Sequence, residues 1–334
     1  PDGSPTSASV AGRPLAGGSA LGIQSNGTTD YLQGLRFGYP ATTASAMPNG
    51  PFDYSGLRDR GMQFWVNPAD DRLGDAAIQS IVADTNQHGV LISGAGTWML
   101  RSSATNVDSG VPVKLDTAPD GSNGWSHVML VRPRGDVGGV QLYVDGVPLA
   151  FRSGNYTLTD DARLVVGANT AGTSLDFQGG TDQYFKGVID DLQMFVLGLS
   201  ANEKVNYGQF NLATDNHFIA AALAGKTPGD LTGNGVVNND DVNIFLSNWR
   251  SRNLVNGAQL GGLNTYALGD FNMDGTGDRR DWGVIRANHV DGPNLDLAAL
   301  LANHAVPEPA SAALAAMMTA ALVARRRRGT AATR

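Results

Sequence analysis

Up to about residue 211, short apolar runs alternate with turn residues, and helical periodicity is almost absent. Within 61–67, Met62, Phe64 and Val66 occupy every second position, which predicts a strand with one buried face. The run 141–144 leads into Asp145 and Gly146, a pair that favours a tight hairpin turn. The same pattern predicts further strands at 21–23, 31–37, 78–83, 88–93, 97–101, 125–132, 163–168 and 188–196. We therefore predict a mainly β fold, an antiparallel sandwich of about a dozen strands.

Beyond residue 211, the pattern changes to short helical segments around two polar loops. Loop 1 (230–241) and loop 2 (270–281) both place oxygen-bearing side chains at positions 1, 3, 5, 9 and 12 and glycine at position 6. Apolar residues at helical spacing follow each loop: Val242, Phe245, Leu246 and Trp249 after loop 1, and Trp282, Ile285 and His289 after loop 2. Short helices are also predicted at 218–223 and 295–301.

The spacing in both loops is that of an EF-hand-type calcium loop, in which the glycine permits the sharp turn around the ion. Position 7 would contribute its backbone carbonyl. The predicted ligands are Asp230, Thr232, Asn234, Val236, Asn238 and Asp241 in loop 1, and Asp270, Asn272, Asp274, Thr276, Asp278 and Asp281 in loop 2. Two polar Asp/Asn/Gly turns are the simpler alternative, but repetition of the whole pattern favours calcium.

These residues resemble a dockerin domain over 230–292. Dockerins pair two such loop–helix units, close each loop with Asp, as at Asp241 and Asp281, and lack a helix before the loop. The sequence departs from the family at Thr232, a weaker ligand than Asn or Asp, and at Gly277, where the family packs an aliphatic side chain. Because the ligands of loop 1 carry two fewer negative charges, we expect loop 1 to bind calcium more weakly. The segment 252–267 is longer than the corresponding segment of most dockerins.

Dockerins meet a cohesin partner through positions 10 and 11 of each loop. Here these positions hold Asn239 and Asp240 in loop 1, and Arg279 and Arg280 in loop 2. Solvated helix starts explain the same residues without a partner. If a cohesin-like protein binds them, the difference in charge should make one binding orientation dominant.

Composition agrees with a loop-rich, exported protein. The net charge is −7, which argues against a nucleic-acid partner. Cysteine is absent, which excludes disulfides and thiolate metal sites. The only two glutamates are Glu203 and Glu308. Glu203 follows Ser200 at capping-box spacing, so a helix is predicted to begin there.

The end of the chain has three parts. An apolar run at 310–324 stands between two short motifs, which are Pro307, Glu308 and Pro309 before it, and Arg325, Arg326, Arg327 and Arg328 after it. The run is shorter than the roughly 20 residues of a permanent membrane span, and an Ala-rich helix with a basic end is one interpretation. The order of the parts resembles the PEP-CTERM sorting signal over 306–328. That resemblance implies processing by an exosortase at the surface of a Gram-negative-type bacterium, with the protein tethered to the membrane beforehand.

The order of the predicted strands resembles a laminin-G-like, concanavalin A-like jelly roll over 1–211. The matching segments are 64–66, 125–128, 142–146 and 185–194. Laminin-G-like domains often hold calcium at one rim of the sandwich, for which the candidates are Asp84, Asn86, Asp108 and Asp116. Aromatic faces suit contacts with sugar rings, so one exposed tryptophan could bind a glycan, but the core is the predicted place of Trp65, Trp98 and Trp125.

No catalytic pair stands out, although a glycoside hydrolase needs two carboxylates across the scissile bond. The Glu-x-Asp-x-x-Glu strand of the glucanases with this fold cannot form, because Glu203 is the one glutamate before the tail. Asp190 and Asp191 are adjacent and would face opposite sides of a strand. Asp190 alternates with apolar residues, so we predict that it is a structural anchor. His88 and His127 fall within strands and are predicted to be packed or surface residues.

We therefore predict a jelly roll at 1–211, a linker at 212–229, a dockerin at 230–292, a linker helix at 293–305 and the sorting signal at 306–328. The favoured function is a non-catalytic, exported carbohydrate-binding or adhesion protein that assembles through its calcium-dependent dockerin. One alternative is a polysaccharide-degrading subunit. Another is a structural matrix protein with no ligand beyond calcium.

Overall fold

The computed structural model of the chain describes residues 6–11, 19–26, 32–36, 60–69, 78–84, 89–102, 105–117, 123–132, 139–153, 163–170, 181–196 and 212–304. Contacts between residues divide the chain into two units. The first unit joins Pro1–Gly225 to Arg252–Thr276, and the second joins Lys226–Ser251 to Gly277–Arg334. Residues 252–276, which include the first seven positions of loop 2, therefore group with the N-terminal strands, whereas the residues from the end of loop 1 to Ser251 do not. The domain boundaries predicted from the sequence divide the chain differently and stay a prediction.

Short strands make up most of the described part of the first unit. They are β1 (Thr6–Ala11), β2 (Ser19–Asn26), β3 (Leu32–Arg36), β4 (Arg60–Pro68), β5 (Gln79–Asp84), β6 (Gly89–Ile92), β7 (Thr97–Ser102), β8 (Thr105–Pro112), β9 (Ser126–Arg132), β10 (Gly139–Val144), β11 (Val147–Ser153), β12 (Arg163–Val166), β13 (Asn169–Thr170), β14 (Thr181–Asp182), β15 (Lys186–Val196), β16 (Leu254–Val255) and β17 (Ala258–Gln259). The α-helices among the described residues are α1 (Leu212–Asp215), α2 (His217–Leu223), α3 (Asn239–Ser247), α4 (Leu263–Tyr266), α5 (Arg279–Asn288) and α6 (Leu297–Asn303).

Two antiparallel sheets form the body of the first unit. The seven-stranded sheet has the order β1-β2-β15-β4-β9-β10-β11, and the six-stranded sheet has the order β3-β12-β5-β6-β7-β8. Every strand predicted from the sequence overlaps one of these strands. The prediction of a mainly β, antiparallel sandwich is confirmed. The hydrophobic pattern did not reveal β1, β8, β13, β14, β16 and β17, and the hairpin signal at Asp145 and Gly146 only implied β11.

The main core lies between the two sheets, because alternate side chains of facing strands meet there. Met62, Phe64 and Val66 of β4 are fully buried in this core, as their alternation predicts. Val90 of β6 and Trp98 of β7 reach it from the other sheet. Burial of these apolar side chains is the main stabilising contribution to the sandwich.

The outer face of the seven-stranded sheet is covered by α1 and α2. Trp65 of β4 and His127 of β9 lie opposite each other and contact Phe218 of α2, at ring-centroid distances of 5.9 and 5.8 Å. Asn216 is fully buried and caps α2 by accepting the N–H groups of Phe218 and Ile219. This segment, predicted as a linker, packs on the sheet because its apolar side chains cover an aromatic surface.

Strand β15 departs from a regular strand at Asp191. Its pairing with β4 shifts register between Asp190 and Gln193, and Asp191 has a φ of 51°. Val188 lies in the outer aromatic cluster, whereas Leu192 packs against the main core. The prediction of uninterrupted alternation through Asp190 is therefore wrong, because the β-bulge turns the following residues to the other face. Asp190 itself is half-buried and accepts the N–H of Asp191 at 2.8 Å.

The second unit is built around α3 and α5, each of which directly follows one of the loops. Six of the seven residues predicted to form their apolar faces are buried, and Trp249 is half-buried. The buried ones are Val242, Phe245, Leu246, Trp282, Ile285 and His289. Phe245 of α3 contacts Trp282 of α5 at a ring-centroid distance of 5.9 Å. The N–H of Val290 donates to the carbonyl of Val237 at 3.1 Å, so the end of loop 1 also pairs with the segment after α5. The predicted helix near the end of the unit is present as α6.

Several predictions lie outside the described residues. These are the helix start at Ser200 and Glu203, and the sorting signal with Pro307, Glu308, Pro309 and the arginines from Arg325 to Arg328. Within the part of the chain that the structure describes, no helix is long and apolar enough to cross a membrane.

Candidate functional site

Loop 1 begins at Asp230, whose carboxylate is surrounded by N–H groups of its own loop. Gly233, Asn234 and Gly235 donate to its oxygens at 2.8, 3.1 and 2.7 Å. Burial acts to raise the pKa of Asp230, but these N–H groups and the hydroxyl of Thr232 outweigh it and hold the pKa below its usual value. The carboxylate is therefore ionised at neutral pH, as a metal ligand must be.

Positions 1, 3 and 12 of loop 1 bring three side-chain oxygens together. Thr232 Oγ1 lies 3.2 Å from Asp230 Oδ1 and 3.0 Å from Asp241 Oδ1. Oxygen ligands about 2.3–2.6 Å from a calcium ion are separated from their neighbours by a similar distance of about 3 Å. Asp241 is fully buried and also accepts the N–H groups of Leu231, Thr232 and Asn238 at 2.9 Å each. Three of the oxygens that the sequence assigns to calcium thus converge.

Loop 2 has a similar arrangement in its first seven positions, which belong to the first unit. Asp270 is buried and accepts the N–H groups of Asp274 and Gly275 at 3.0 and 2.7 Å. The side-chain amide of Asn272 donates to Asp274 at 3.1 Å, and Asp274 accepts the N–H of Thr276 at 3.0 Å. The ligand residues at positions 1, 3, 5 and 7 are therefore held in one hydrogen-bonded turn.

The two loops share a backbone path as well as a spacing. In both, the carboxylate at position 1 accepts the N–H groups of positions 5 and 6, and the side-chain oxygen at position 5 accepts the N–H of position 7. Gly235 and Gly275, at position 6, both have a φ of 86°. Position 4 is also left-handed in both loops, with a φ of 75° at Gly233 and 55° at Met273. Sequence analysis missed this shared turn because loop 2 has no glycine at position 4.

Positions 9 and 12 of each loop also start the helix that follows. Asn238 accepts the N–H of position 11 at 2.7 Å, while Asp241 accepts the N–H of Asn238. Asp278 and Asp281 make the equivalent bonds in loop 2, at 2.7 and 2.8 Å. Both pairs form a capping box, in which two side chains satisfy the free N–H groups of the first helical turn. Formation of α3 and α5 therefore orients the last ligand residues of each loop.

The side chains predicted to meet a cohesin-like partner are accessible. Asn239, Asp240, Arg279 and Arg280 are all exposed at the start of α3 or α5. Their role in binding stays a prediction.

The donor set consists of oxygen atoms, which suit calcium and not the softer metals that prefer thiolate or imidazole. Among the described residues, no three His, Cys, Asp or Glu side chains are grouped closely enough to hold an ion by themselves. Loop 1 supplies only two carboxylates as ligands. The hydroxyl of Thr232, the amide of Asn234 and the carbonyl of Val236 would have to complete its ligand set.

The candidates for a calcium site at the sandwich rim belong to separate hydrogen-bond networks. Asp108 accepts the hydroxyl of Thr97 at 2.6 Å and the N–H of Gly110 at 2.9 Å. Asp116 accepts the side-chain amide of Asn67 at 3.2 Å, beside the end of β4. Asn86 and the side chain of Asp84 lie outside the described residues. The hydrogen bonds described here do not bring Asp108 and Asp116 together.

The three tryptophans of the sandwich are buried, as predicted. Trp65, Trp98 and Trp125 are 6%, 1% and 3% exposed. Their rings therefore do not offer an open surface to a sugar. His127 is also packed, with Nε2 lying 3.1 Å from Gln63 Oε1, and His88 lies outside the described residues.

Comparison with known families decides the class of the sandwich. Residues 42–203 match the family described as the concanavalin A-like lectin/glucanases superfamily. Over these residues the sandwich is similar to a concanavalin A-like jelly-roll domain, which supports the resemblance found in the N-terminal sequence for that part of 1–211. No curated protein matches the chain.

Solved structures similar to the jelly roll are distant in sequence. The CBM40 module of IT-sialidase from Ruminococcus gnavus, bound to α2,3-sialyllactose, is 16% identical with a TM-score of 0.33, and the match covers 55% of this chain and 94% of that one. A variant of NanB sialidase from Streptococcus pneumoniae is 15% identical with a TM-score of 0.35, and the match covers 56% of this chain and 27% of that one. The binding domain of Paraclostridial Mosquitocidal Protein 1 is 16% identical with a TM-score of 0.32, over 59% of this chain and 44% of that one. The chain thus spans less than half of the last two proteins.

Proposed function

We propose that the jelly roll is a non-catalytic carbohydrate-binding or adhesion domain of an exported protein. The observation that carries this proposal is the match of residues 42–203 to a superfamily of lectins and glucanases. Both of those classes act on glycans, so carbohydrate is the ligand class they share. The binding role is preferred over hydrolysis because a glycosidase needs a pair of carboxylates, and Glu203 is the one glutamate before the tail.

Loops 1 and 2 would each hold one calcium ion with a structural role. The contact of Thr232 Oγ1 with carboxylate oxygens of Asp230 and Asp241 supports this, because it gathers oxygens from both ends of loop 1. An ion held there would contribute its binding free energy to folding. Calcium-binding modules outside the cell work at about 10⁻⁴ to 10⁻³ M. Even the weaker loop 1 would then be occupied outside the cell.

The two loop–helix units would act as a dockerin that attaches the protein to a cohesin-like partner, consistent with the exposure of positions 10 and 11. The tail would direct the protein to the cell surface. Its support is the order of Pro307, Glu308 and Pro309, the apolar run and the four arginines. In this proposal the protein is tethered to the membrane until an exosortase processes it.

A glycan array probed with the full chain, with and without a calcium chelator, tests the carbohydrate proposal. We expect binding to at least one glycan class. No bound glycan in either condition would contradict the proposal and favour a structural matrix protein. Release of reducing sugar from the bound glycans would instead identify a hydrolase.

Calorimetric titration of the full chain with calcium tests the loops. We expect two sites, of which the weaker disappears in Asp230→Ala and the stronger in Asp274→Ala. Asp240→Ala changes an exposed residue of loop 1 that is not a predicted ligand, so it is the matched control. The ligand assignment fails if the wild-type chain binds no calcium or if Asp230→Ala and Asp274→Ala leave both sites intact.

Binding to a panel of cohesin modules tests the partner. The double change Arg279→Glu and Arg280→Glu should weaken the interaction, and charge changes at Asn239 and Asp240 should matter less. If all these variants bind the cohesin modules as strongly as the unaltered chain does, these four residues are not the partner surface.

A further inference from the structure

The segment between loops 1 and 2 packs on a single turn of the jelly roll, the one that joins β10 to β11. The N–H of Leu263 donates to the carbonyl of Gly146 at 2.9 Å. The backbones approach so closely that a Cβ atom at Gly262 would lie 2.5 Å from the Gly146 oxygen and 2.7 Å from Pro148 Cδ. A Cβ atom at Gly146 would lie 2.8 Å from Leu263 Cδ1. Glycine is required on both sides of this contact. We call the contact of Gly262 and Leu263 with the turn at Gly146 the dock.

A second contact extends the dock along β11. This strand is last in the order of the seven-stranded sheet, so among the described residues one row of its backbone groups does not pair with a further strand of that sheet. The N–H of Phe151 on this strand donates to the side-chain oxygen of Asn256 at 3.0 Å. Asn256 belongs to the turn between β16 and β17 and has a φ of 47°. The segment between the two loops, which we call the insertion, therefore covers part of the edge of the seven-stranded sheet.

Two hydrogen bonds of Thr265 connect the dock to Asp270, the first predicted ligand of loop 2. Thr265 is buried, and its hydroxyl accepts the N–H of Gly262 at 2.9 Å. The carbonyl of Thr265 accepts the N–H of Asp270 at 3.1 Å. Only α4 and three further residues separate the contact at Gly146 from Asp270.

The same insertion holds the middle of loop 2. Gln259 donates its side-chain amide to the carbonyl of Asp274 at 3.0 Å, and the N–H of Asn253 donates to the carbonyl of Gly275 at 3.0 Å. A Cβ atom at Gly261 would lie 2.3 Å from the backbone of Met273. Positions 4, 5 and 6 of loop 2 are thus supported by backbone contacts with the docked segment.

Tyr143 of β10 lies near enough to Asp270, the first predicted ligand of loop 2, for its pKa to respond to the charge of that carboxylate. Its hydroxyl is buried and donates to Gln141 Oε1 at 3.0 Å. Burial raises the pKa of Tyr143, and the negative charge of Asp270 raises the pKa further. In loop 1, which lies in the second unit, Asp230 and Asp241 accept the hydrogen bonds described above from residues of their own loop.

We propose that the dock couples calcium binding at loop 2 to the stability of the jelly roll, with Asn256, Gly262 and Leu263 as positioning residues for the ligands. This inference rests on the proposed binding of calcium by the loops. Coupling of this kind is reciprocal, so a dock that strengthens calcium binding is itself strengthened by calcium. Loop 1 is outside this coupling.

Calorimetry on the full chain tests the first half of the proposal. Leu263→Ala and Asn256→Ala each remove one side chain of the dock without touching a ligand. Each should weaken calcium binding at loop 2 by about fivefold or more, the usual lower range for coupled sites, and leave loop 1 unchanged. Leu254→Ala is the matched control, because Leu254 belongs to the same insertion but is 62% exposed. Loop 2 binding that is unaltered in both dock variants would overturn the proposal.

Amide hydrogen exchange of residues 139–153 tests the second half. Calcium should slow exchange in β10 and β11 by about fivefold or more. The slowing should persist in Asp230→Ala, which disables loop 1, and disappear in Asp274→Ala and in Leu263→Ala. If calcium binds both loops but leaves exchange in β10 and β11 unchanged, the coupling is refuted while calcium binding stands. If the chain binds no calcium at all, the proposed calcium function itself has failed.

Discussion

Replacing Asp241 by alanine should destabilise the second unit even without calcium. The carboxylate is fully buried and accepts the N–H groups of Leu231, Thr232 and Asn238. Its fourth hydrogen bond comes from the hydroxyl of Thr232, which it shares with Asp230. Water can reach some of these donors once the side chain is removed, because Thr232 is exposed and the other two residues are half-buried. The usual net contribution of one hydrogen bond to stability includes a value of roughly 0.8 kcal/mol, so losing four of them should lower the free energy of unfolding by about 3 kcal/mol.

Hydrogen exchange of the α3 amides, measured in chelator, reports this loss locally. A destabilisation of about 3 kcal/mol corresponds to roughly hundredfold faster exchange if α3 opens together with loop 1. The matched control is Asp240→Ala, which changes the exposed neighbouring residue and should speed exchange by less than about fivefold. If Asp241→Ala accelerates exchange no more than this control does, the buried carboxylate does not hold the loop, and the argument from its four bonds is wrong.

Three further changes test other parts of the molecule. Thr232→Asp should strengthen calcium binding at loop 1 by about tenfold, since affinity follows ligand charge; unchanged affinity in calorimetry would show that position 3 is not a ligand. Burial acts to raise the pKa of Asp108, but bonds from Thr97 and Gly110 outweigh it and hold the pKa below 3.8. Asp108→Asn should therefore lower stability by about 0.5–1 kcal/mol at neutral pH, and thermal unfolding should show the difference vanishing as the pH falls below 3.8 through the lowered pKa. Phe218→Ala should cost about 2 kcal/mol and speed exchange in α2, in contrast to the exposed control His217→Ala.

The hydrophobic pattern predicted the sandwich because its strands bury one face in a common core. Met62, Phe64 and Val66 illustrate this, since alternation in the sequence is enough to assign all three to the buried face. Assigning faces by alternation failed at Asp191, because this residue has a positive φ and lies in a bulge of β15. Strand β8 was missed because its residues are half-buried or exposed, so it lacks a strongly apolar face.

The glycine at position 6 of each loop predicted a sharp turn, and Gly235 and Gly275 both have a φ of 86°. The assignment of calcium ligands in the loops stays a prediction. The left-handed backbone of Met273 (φ 55°) could not be predicted, because methionine, unlike the glycine at position 4 of loop 1, does not favour that conformation. The dock was also invisible in the sequence. It depends on the close approach of Gly262 and Gly146, which are 116 positions apart in the chain (262 − 146).

The two loops share a backbone path, but they differ in ligand charge and in their contacts with the rest of the chain. If both bind calcium, these differences imply that one loop binds it before the other. Loop 2 has four carboxylates among its predicted ligands and loop 1 has two, so electrostatic attraction favours loop 2. In the proposal above, the jelly roll also holds the first half of loop 2 before the ion arrives, which lowers the conformational entropy lost on binding. Both effects act in the same direction. As calcium rises, the start of α5 with Arg279 and Arg280 should therefore be stabilised before the start of α3. A cohesin-like partner that selects an ordered helix start would then meet the basic surface first, which gives a physical reason for one dominant orientation.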